Sequence, residues 1–403
     1  MSRPLEGIKV VDCGQFIQAP AAAAMLGDLG AEVIKVEQPV VGDPVRGLTK
    51  VMGVQSAGKG WSTNVTVEVY NWNKRSITLN LRKEKGKKIL YQMIEKSDVF
   101  LHNWEPDVAG KLGVDYKTLS QYNPRLIYAA SSAWGTKGPD VADPALDFAA
   151  IARSGLGYVA GEPDYSPLIF KAGIADQSGA MVLTQAILAA LFARERQGIG
   201  QKIEVSMIAG ATVLQTHPFS CFLFLGEELP RRSRTDNHNP LWNYYCCSDG
   251  KWIALAMLQS DRYWPDFCKV MGIEGLRNDP KFADMDARDE NSFELIAILD
   301  KRFATKPRNK WLKLLKGDFI CQPVQTYTEL VDDPQVIENE YVIDFDHPTL
   351  GKIKTIGFPY KFSETPLSNR TAAPVMGQHT EEILLELGYS WEDIVSLKDE
   401  EVI

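Results

Sequence analysis

The stretch "GIKVVDCGQFIQAPAAAAMLGDLGAEVIKVE" (residues 7–37) decides the architecture. Residues 7–14 are a short β-branched, apolar run, the composition of a buried strand. "APAAAAMLGDLG" (residues 19–30) is helix-like and closes on Gly30, a residue suited to a C-cap. "AEVIKVE" (residues 31–37) is a second strand. Strand, helix and strand in this order make a crossover unit, whose two strands run parallel. The alternation continues outward. "SITLNL" (76–81), "DVFLHN" (98–103) and "RLIYAASS" (125–132) read as strands, and "EKGKKILYQMIEKS" (84–97) carries apolar residues at helical spacing. The fold class is α/β, with a parallel sheet and helices on its faces.

Further along, "DQSGAMVLTQAILAALFARERQG" (176–198) is apolar nearly all round until its last turn, so it reads as a well-buried helix. "GQKIEVSMIAGATVLQ" (200–215) adds a strand and a helix. Composition changes near residue 225, where "GEELPRRSRTDNHNPLWN" (226–243) is polar and turn-rich. A compact α+β unit follows. It has a strand pair around "SDGKWIALAM" (248–257), with Asp249-Gly250 suited to a tight turn, and helices over 263–315. The turn-rich "SETPLSNRTAAPVMG" (363–377) and a short acidic helix, "HTEEILLELG" (379–388), close the chain. The expected plan is a large domain over 1–225, a smaller one over 226–318, and a segment over 319–403 that returns to the large domain.

At 403 residues, the chain is long enough for two or three domains. Apolar residues at 45% and charged residues at 24% fit a soluble globular protein. No run of about 18 apolar residues occurs, so no membrane span is expected. "MSRPLEGIKVVD" enters a strand with no apolar signal region before it. A net charge of −8 with dispersed basic residues argues against nucleic acid as a partner. The one basic cluster, Arg231, Arg232 and Arg234, is read as a solvated loop, with a phosphate contact as the alternative. Cys13, Cys221, Cys246, Cys247, Cys268 and Cys321 show no Cys-x-x-Cys spacing, which fits a reducing cytoplasm. The five histidines show no metal-ligand spacing, so no metal is expected.

Individual motifs exclude more than they assign. Glu37 ends the second strand where an acid can take ribose hydroxyls, but the turn "DCGQFIQAP" lacks the glycines that let a pyrophosphate approach. "SAGKGWS" (56–62) is superficially like a phosphate loop, lacks its spacing, and reads as an exposed loop. No Gly-x-Ser-x-Gly elbow occurs. In "GPDVADPALDFAAIARSG" (138–155), Asp147 stands at the start of a helix with no base close by in sequence. Such an acid is most often a helix cap. In a dry pocket holding an activated acyl group it is a nucleophile instead.

Blocks along the chain carry a resemblance. They are "PLEGIKVVD", "LGAEVIKVEQP", "NKRSITLNLRKEKGKKIL", "NPRLIYAASSAWGTKGP", "GQKIEVSM", "DGKWIALA", "YVIDFDHPTLG" and "GQHTEEILLELGY". In this order and spacing they resemble the class III CoA-transferases, the family of formyl-CoA and carnitine CoA-transferases. The resemblance implies a Rossmann-like large domain built from both chain ends, a smaller α+β domain, and two subunits interlocked like links of a chain. It implies no permanently bound cofactor. Coenzyme A enters as the acyl-CoA substrate, and a carboxylic acid is the second partner.

The resemblance also assigns roles. The aspartate after the "GTKGP" turn would be the nucleophile, which places Asp147 in that role. Ala145-Leu146 stand where the family usually has Gly-Tyr. The carboxylate would attack the thioester carbonyl, forming a mixed anhydride and releasing CoA thiolate. The thiolate would return to the aspartyl carbonyl, release the donor acid and leave an aspartyl-CoA thioester. The acceptor acid would then reverse the sequence. CoA contacts carry over to Ile17 and Gln18, Leu79 and Arg82, Asn103 and Trp104, Ser132 and Ala133, with Lys111 as a cation for phosphate. Ile17 replaces a glutamine of formyl-type enzymes, and plain core packing is an equal alternative for Leu79 and Trp104. Gln38 and Glu105 stand where members often carry basic residues. The related α-methylacyl-CoA racemases typically show His-Asp at the catalytic turn, whereas Leu146 precedes Asp147 here, so transfer is favoured. The closest likeness is to members acting on aryl, branched or 2-hydroxy acids, such as phenyllactate or benzylsuccinate, in anaerobic metabolism. Some of these are heteromers, so a structural partner subunit is a further reading.

Overall fold

The computed structural model describes residues 2–58, 63–171, 173–367 and 370–403. Part of the "SAGKGWS" loop, residues 59–62, lies outside them. The chain forms two compact units. The larger comprises Met1–Tyr158, Ile169–Glu227 and Asp344–Ile403, and the smaller comprises Val159–Leu168 and Glu228–Ile343.

The larger unit opens with β1 (Lys9–Asp12), α1 (Gln18–Asp28) and β2 (Glu32–Glu37). After a small hairpin, Lys50–Val51 with Val54–Gln55, come α2 (Val65–Asn71), β3 (Lys74–Thr78), α3 (Glu84–Glu95) and β4 (Val99–His102). Then follow α4 (Pro106–Leu112), α5 (Tyr116–Tyr122), β5 (Ile127–Ser132), α6 (Asp147–Arg153), α7 (Ile174–Gln197), β6 (Gln201–Ser206), α8 (Met207–Val213) and α9 (Thr216–Leu225). The six strands make one parallel sheet in the order β3-β2-β1-β4-β5-β6. This is a doubly wound sheet whose strand order reverses between β1 and β4, so a crevice opens beyond their carboxyl ends.

Neighbouring strand residues face opposite ways and fill two cores. Val10, Val33, Leu101 and Ile127 meet α1 and α7 through Leu26, Leu183, Ile187 and Leu191. On the other face Val11, Ile77, Phe100 and Tyr128 meet Ile89, Leu90 and Met93 of α3. The same core takes Ile383, Leu384, Ile394 and Leu397 from two C-terminal helices, α10 (Thr380–Glu386) and α11 (Trp391–Asp399). The end of the chain, from Asp344, therefore lies in the larger unit, and it includes a second helix beyond the acidic one. Ser390 and Asp393 form the capping box that starts α11.

By length and composition alone α7 is apolar enough to cross a membrane, a test that buried core helices also pass, and half of its apolar window is buried in the protein. It crosses α8 so closely that a Cβ on Gly210 would lie 2.5 Å from the Gly179 nitrogen. Only glycine allows that approach.

The smaller unit has a three-stranded antiparallel sheet, Tyr244–Cys246, Trp252–Leu255 and Cys321–Pro323, with helices that include Trp264–Met271, Ser292–Phe303 and Arg308–Leu315. It extends beyond residue 318 because Cys321–Pro323 supplies its third strand and Glu329 pairs with Arg308 and Lys251. The basic cluster is tied inside this unit: Arg232 to Asp289, Arg234 to Asp300, and Arg231 to the Gly161 carbonyl.

A two-carboxylate cavity at the sheet switch point

The crevice predicted by the strand order is a cavity of about 1410 Å³ within the larger unit. That exceeds the roughly 300–1,000 Å³ of an ordinary small-molecule site, so it has room for a long, two-part ligand. It runs from the β1–α1 turn past the β4–α4 turn. Ile17, Gln18, Leu79, Arg82, Asn103, Trp104, Ser132, Ala133 and Asp147 all line it. Lys111 is the exception: it is exposed on α4 and is absent from the lining, where Arg82 and Lys50 supply cations.

A buried ionic frame shapes the β1–α1 turn. Lys35 Nζ donates to the Gly14 carbonyl and to Asp43 Oδ2, each at 2.9 Å. Asp43 Oδ1 accepts from the Phe16 and Val45 amides at 3.1 Å. Phe16 is thereby held at a φ of 59°, a strained conformation for a non-glycine residue. Lys74 Nζ binds Asp12 Oδ2 at 2.7 Å and the Pro20 carbonyl at 2.9 Å, fixing the start of α1. Burial pushes the Lys35 ammonium down, but Asp12, Asp43 and Glu37 outweigh it and its pKa is raised. Glu37, the acid that a dinucleotide would need, is committed to Arg46 through two bonds of 2.7 Å and to Ser76 at 3.0 Å.

Asn103 joins the two turns across the switch point. Its Oδ1 accepts from the Gln15 amide and its Nδ2 donates to the Gln15 carbonyl, both at 2.8 Å. Next to it, the Trp104 amide donates to His102 Nδ1 at 3.2 Å, which leaves the His102 Nε2 proton for the Tyr128 hydroxyl at 2.8 Å. Burial drives His102 down to about 3, so it is a neutral structural residue. Leu79 and Trp104 both contact the core and also line the cavity.

Two carboxylates stand in the cavity beside the start of α1. Asp147 begins α6, and its side chain reaches the N-terminus of α7. Oδ1 accepts from the Ala175 and Asp176 amides at 2.6 and 3.0 Å, and Oδ2 accepts from Gly173 at 3.2 Å. Gly173, at a φ of 85°, turns its amide toward that oxygen. Asp147 thus caps a helix 26 residues further along the chain rather than its own. The second carboxylate is Asp176, in the first turn of α7, which the sequence reading treated only as part of a helix. Burial, and then the nearby Asp147 charge, push its carboxyl up to about 7, opposed by a hydrogen bond from the Gln18 amide. Ile17, Tyr70, Phe148, Phe170 and Met207 form the largely apolar surroundings.

The doubly wound domain holds a long cavity at its switch point, lined by Asp147 and Asp176. The chain belongs to CoA-transferase family III, whose family model matches residues 5–380. It is 32% identical over 99% of both chains to (R)-2-hydroxy-4-methylpentanoate CoA-transferase of Clostridioides difficile. It is 31% identical to cinnamoyl-CoA:phenyllactate CoA-transferase of Clostridium sporogenes, over 98% of this chain and 97% of the other. Among solved structures, a CAIB/BAIF family protein from Brucella suis superposes with a TM-score of 0.83 at 28% identity, covering 96% of this chain and 100% of that one. A Mycobacterium tuberculosis protein solved as an aspartate-to-alanine mutant gives a TM-score of 0.80 at 28% identity, over 95% of this chain and 99% of its own.

Proposed function

We propose that this CoA-transferase moves CoA between carboxylic acids through an aspartyl-CoA thioester, and that Asp176, rather than Asp147, forms it. The observation that carries the reading is the unequal state of the two carboxylates. Both Asp147 oxygens already accept backbone N–H groups, and attack from either would give up charge-assisted bonds worth about 1.5–3 kcal/mol each. Asp176 is desolvated, lines the cavity and has the Gln18 amide as its backbone donor. A poorly solvated carboxylate is the better nucleophile.

In this scheme an Asp176 oxygen attacks the thioester carbon, and the C–S bond breaks to give the mixed anhydride and CoA thiolate. The thiolate then attacks the aspartyl carbonyl and releases the donor acid. The acceptor carboxylate attacks the aspartyl-CoA, and the returning thiolate takes the new acyl group and frees Asp176. The chain supplies position and the exclusion of water, which would hydrolyse each intermediate. Asp147 holds the α7 N-terminus that carries Asp176.

We propose branched or aryl 2-hydroxy acids as the substrate class. The apolar surroundings of Asp176 support this, as do two relatives named for (R)-2-hydroxy-4-methylpentanoate and phenyllactate. We also propose an interlocked pair of chains acting in the cytoplasm. The pairing is supported by α9, which buries none of its residues although it is strongly apolar.

Trapping tests the nucleophile. The enzyme is incubated with a panel of acyl-CoAs, quenched with hydroxylamine and digested with trypsin. Asp147 and Asp176 fall in different peptides, 138–153 and 172–194. A hydroxamate on 172–194, lost in Asp176→Asn, is expected. Label on 138–153 would return the role to Asp147. Absence of label with every donor would remove the covalent scheme.

A further inference from the structure

We infer that Tyr70 is the specificity-determining donor of this site, hydrogen-bonding a hydroxyl on the carbon next to the substrate's carboxylate or thioester carbon. The inference rests on the proposed transfer of CoA to 2-hydroxy acids and assigns a residue to that selectivity.

α2 starts at Asn64, whose Oδ1 accepts from the Val67 amide at 3.0 Å and whose Nδ2 donates to the Val45 carbonyl at 2.9 Å. This anchored helix carries Tyr70 to the first turn of α7. There Gln177 Nε2 donates to the Tyr70 hydroxyl at 3.0 Å, one residue beyond Asp176. The hydroxyl oxygen lies 3.6 Å from where a Cβ on Gly173 would stand, beside the amide that binds Asp147. Tyr70 lines the cavity with both aspartates.

The direction of the Gln177 bond decides what Tyr70 can do. An amide N–H only donates, so the tyrosine oxygen is the acceptor and its own proton is left to give. No acceptor for that proton is present among the described residues. Burial raises the Tyr70 pKa, the Gln177 bond opposes it, and the Asp176 and Asp147 charges add to the rise. The group therefore stays an O–H at physiological pH. Ile17, Val69, Phe170 and Met207 provide apolar lining in the same cavity. An oriented donor in largely apolar surroundings distinguishes an acid bearing an α-hydroxyl from its deoxy analogue, because with the analogue the buried donor is left unpaired.

The test measures exchange of 13C-labelled acid into its own CoA ester, with 2-hydroxy-4-methylpentanoate and with 4-methylpentanoate. Tyr70→Phe keeps the ring and removes the donor. It is expected to lower kcat/KM about tenfold for the hydroxy acid, mainly through KM, and to leave the deoxy acid within about twofold. Gln177→Leu is expected to shift selectivity the same way by a smaller factor. Equal losses for both acids, or no loss for the hydroxy acid, overturn the inference. Wild-type exchange of the deoxy acid alone overturns it and leaves the transferase reading standing. Exchange of neither acid overturns it too, while CoA transfer itself falls only if the acyl-CoA trapping panel is also blank.

Discussion

At the residue scale, pH acts on Asp176 in opposite directions for activity and for stability. In the proposed scheme Asp176 must lose its proton to attack, and burial with the Asp147 charge holds its carboxyl at about 7. The kcat/KM for acyl-CoA should therefore rise about tenfold per pH unit on the acid side and level off above about 7. Asp147→Asn removes the neighbouring charge and should move that limb toward acid. An unmoved limb would deny the coupling. Stability runs the other way. A carboxyl raised in the folded state favours folding below its ordinary pKa, and that contribution is lost as pH rises through about 7. Asp176→Asn should then melt above wild type at pH 8 and not at pH 3. Little of this pair was legible in the sequence. Asp147 drew notice as an isolated acid at a turn, but its amide partners lie 26 to 29 residues away. Asp176 was hidden because an acid in a helix's first turn is the commonest way to meet the helix dipole. Nothing in the sequence around Tyr70 singled out that side chain as a site residue.

At the element scale, the β1–α1 turn depends on ions that come from other elements. Lys35 belongs to β2 and Asp43 to the loop after it, and both are buried. Lys35→Met would leave Asp43 charged and unpaired, at a cost of about 3–5 kcal/mol. Urea denaturation should show that loss, together with a raised KM for acyl-CoA as Phe16 and Ile17 relax. A loss below 1 kcal/mol would show that the frame does not hold the turn. The strand–helix–strand reading of residues 7–37 came within two residues of the observed boundaries, because short β-branched runs and a glycine-closed alanine helix are local signals. The ionic frame was not legible. Lys35 looks like an ordinary strand charge, and Glu37 like an acid placed for ribose hydroxyls, until the fold brings Asp43, Arg46 and Ser76 against them.

At the scale of the whole molecule, the larger unit is assembled from both chain ends, and α9 leaves it with Leu223, Phe224 and Leu225 exposed at 61%, 86% and 70%. Paired chains should give a particle of twice the 44.9 kDa chain mass in light scattering. Phe224→Glu should shift that particle toward monomer, and a wild-type monomer at micromolar concentration would refute pairing. The small unit's extent past residue 318 was missed because a three-residue strand such as Cys321–Pro323 has too little pattern to be read without its neighbours. The hairpin at residues 50–55 carries another implication. It borders the cavity with Lys50, Val51, Met52 and Val54, yet it is joined by only two residue pairs, and Met52 and Val54 face outward into solvent. Asp176, the proposed nucleophile, rides instead on α7, which packs into the core. Changes that remodel the ligand's surroundings can therefore accumulate in the hairpin without loosening the scaffold, so evolution can retune the choice of acid while the transfer chemistry stays fixed.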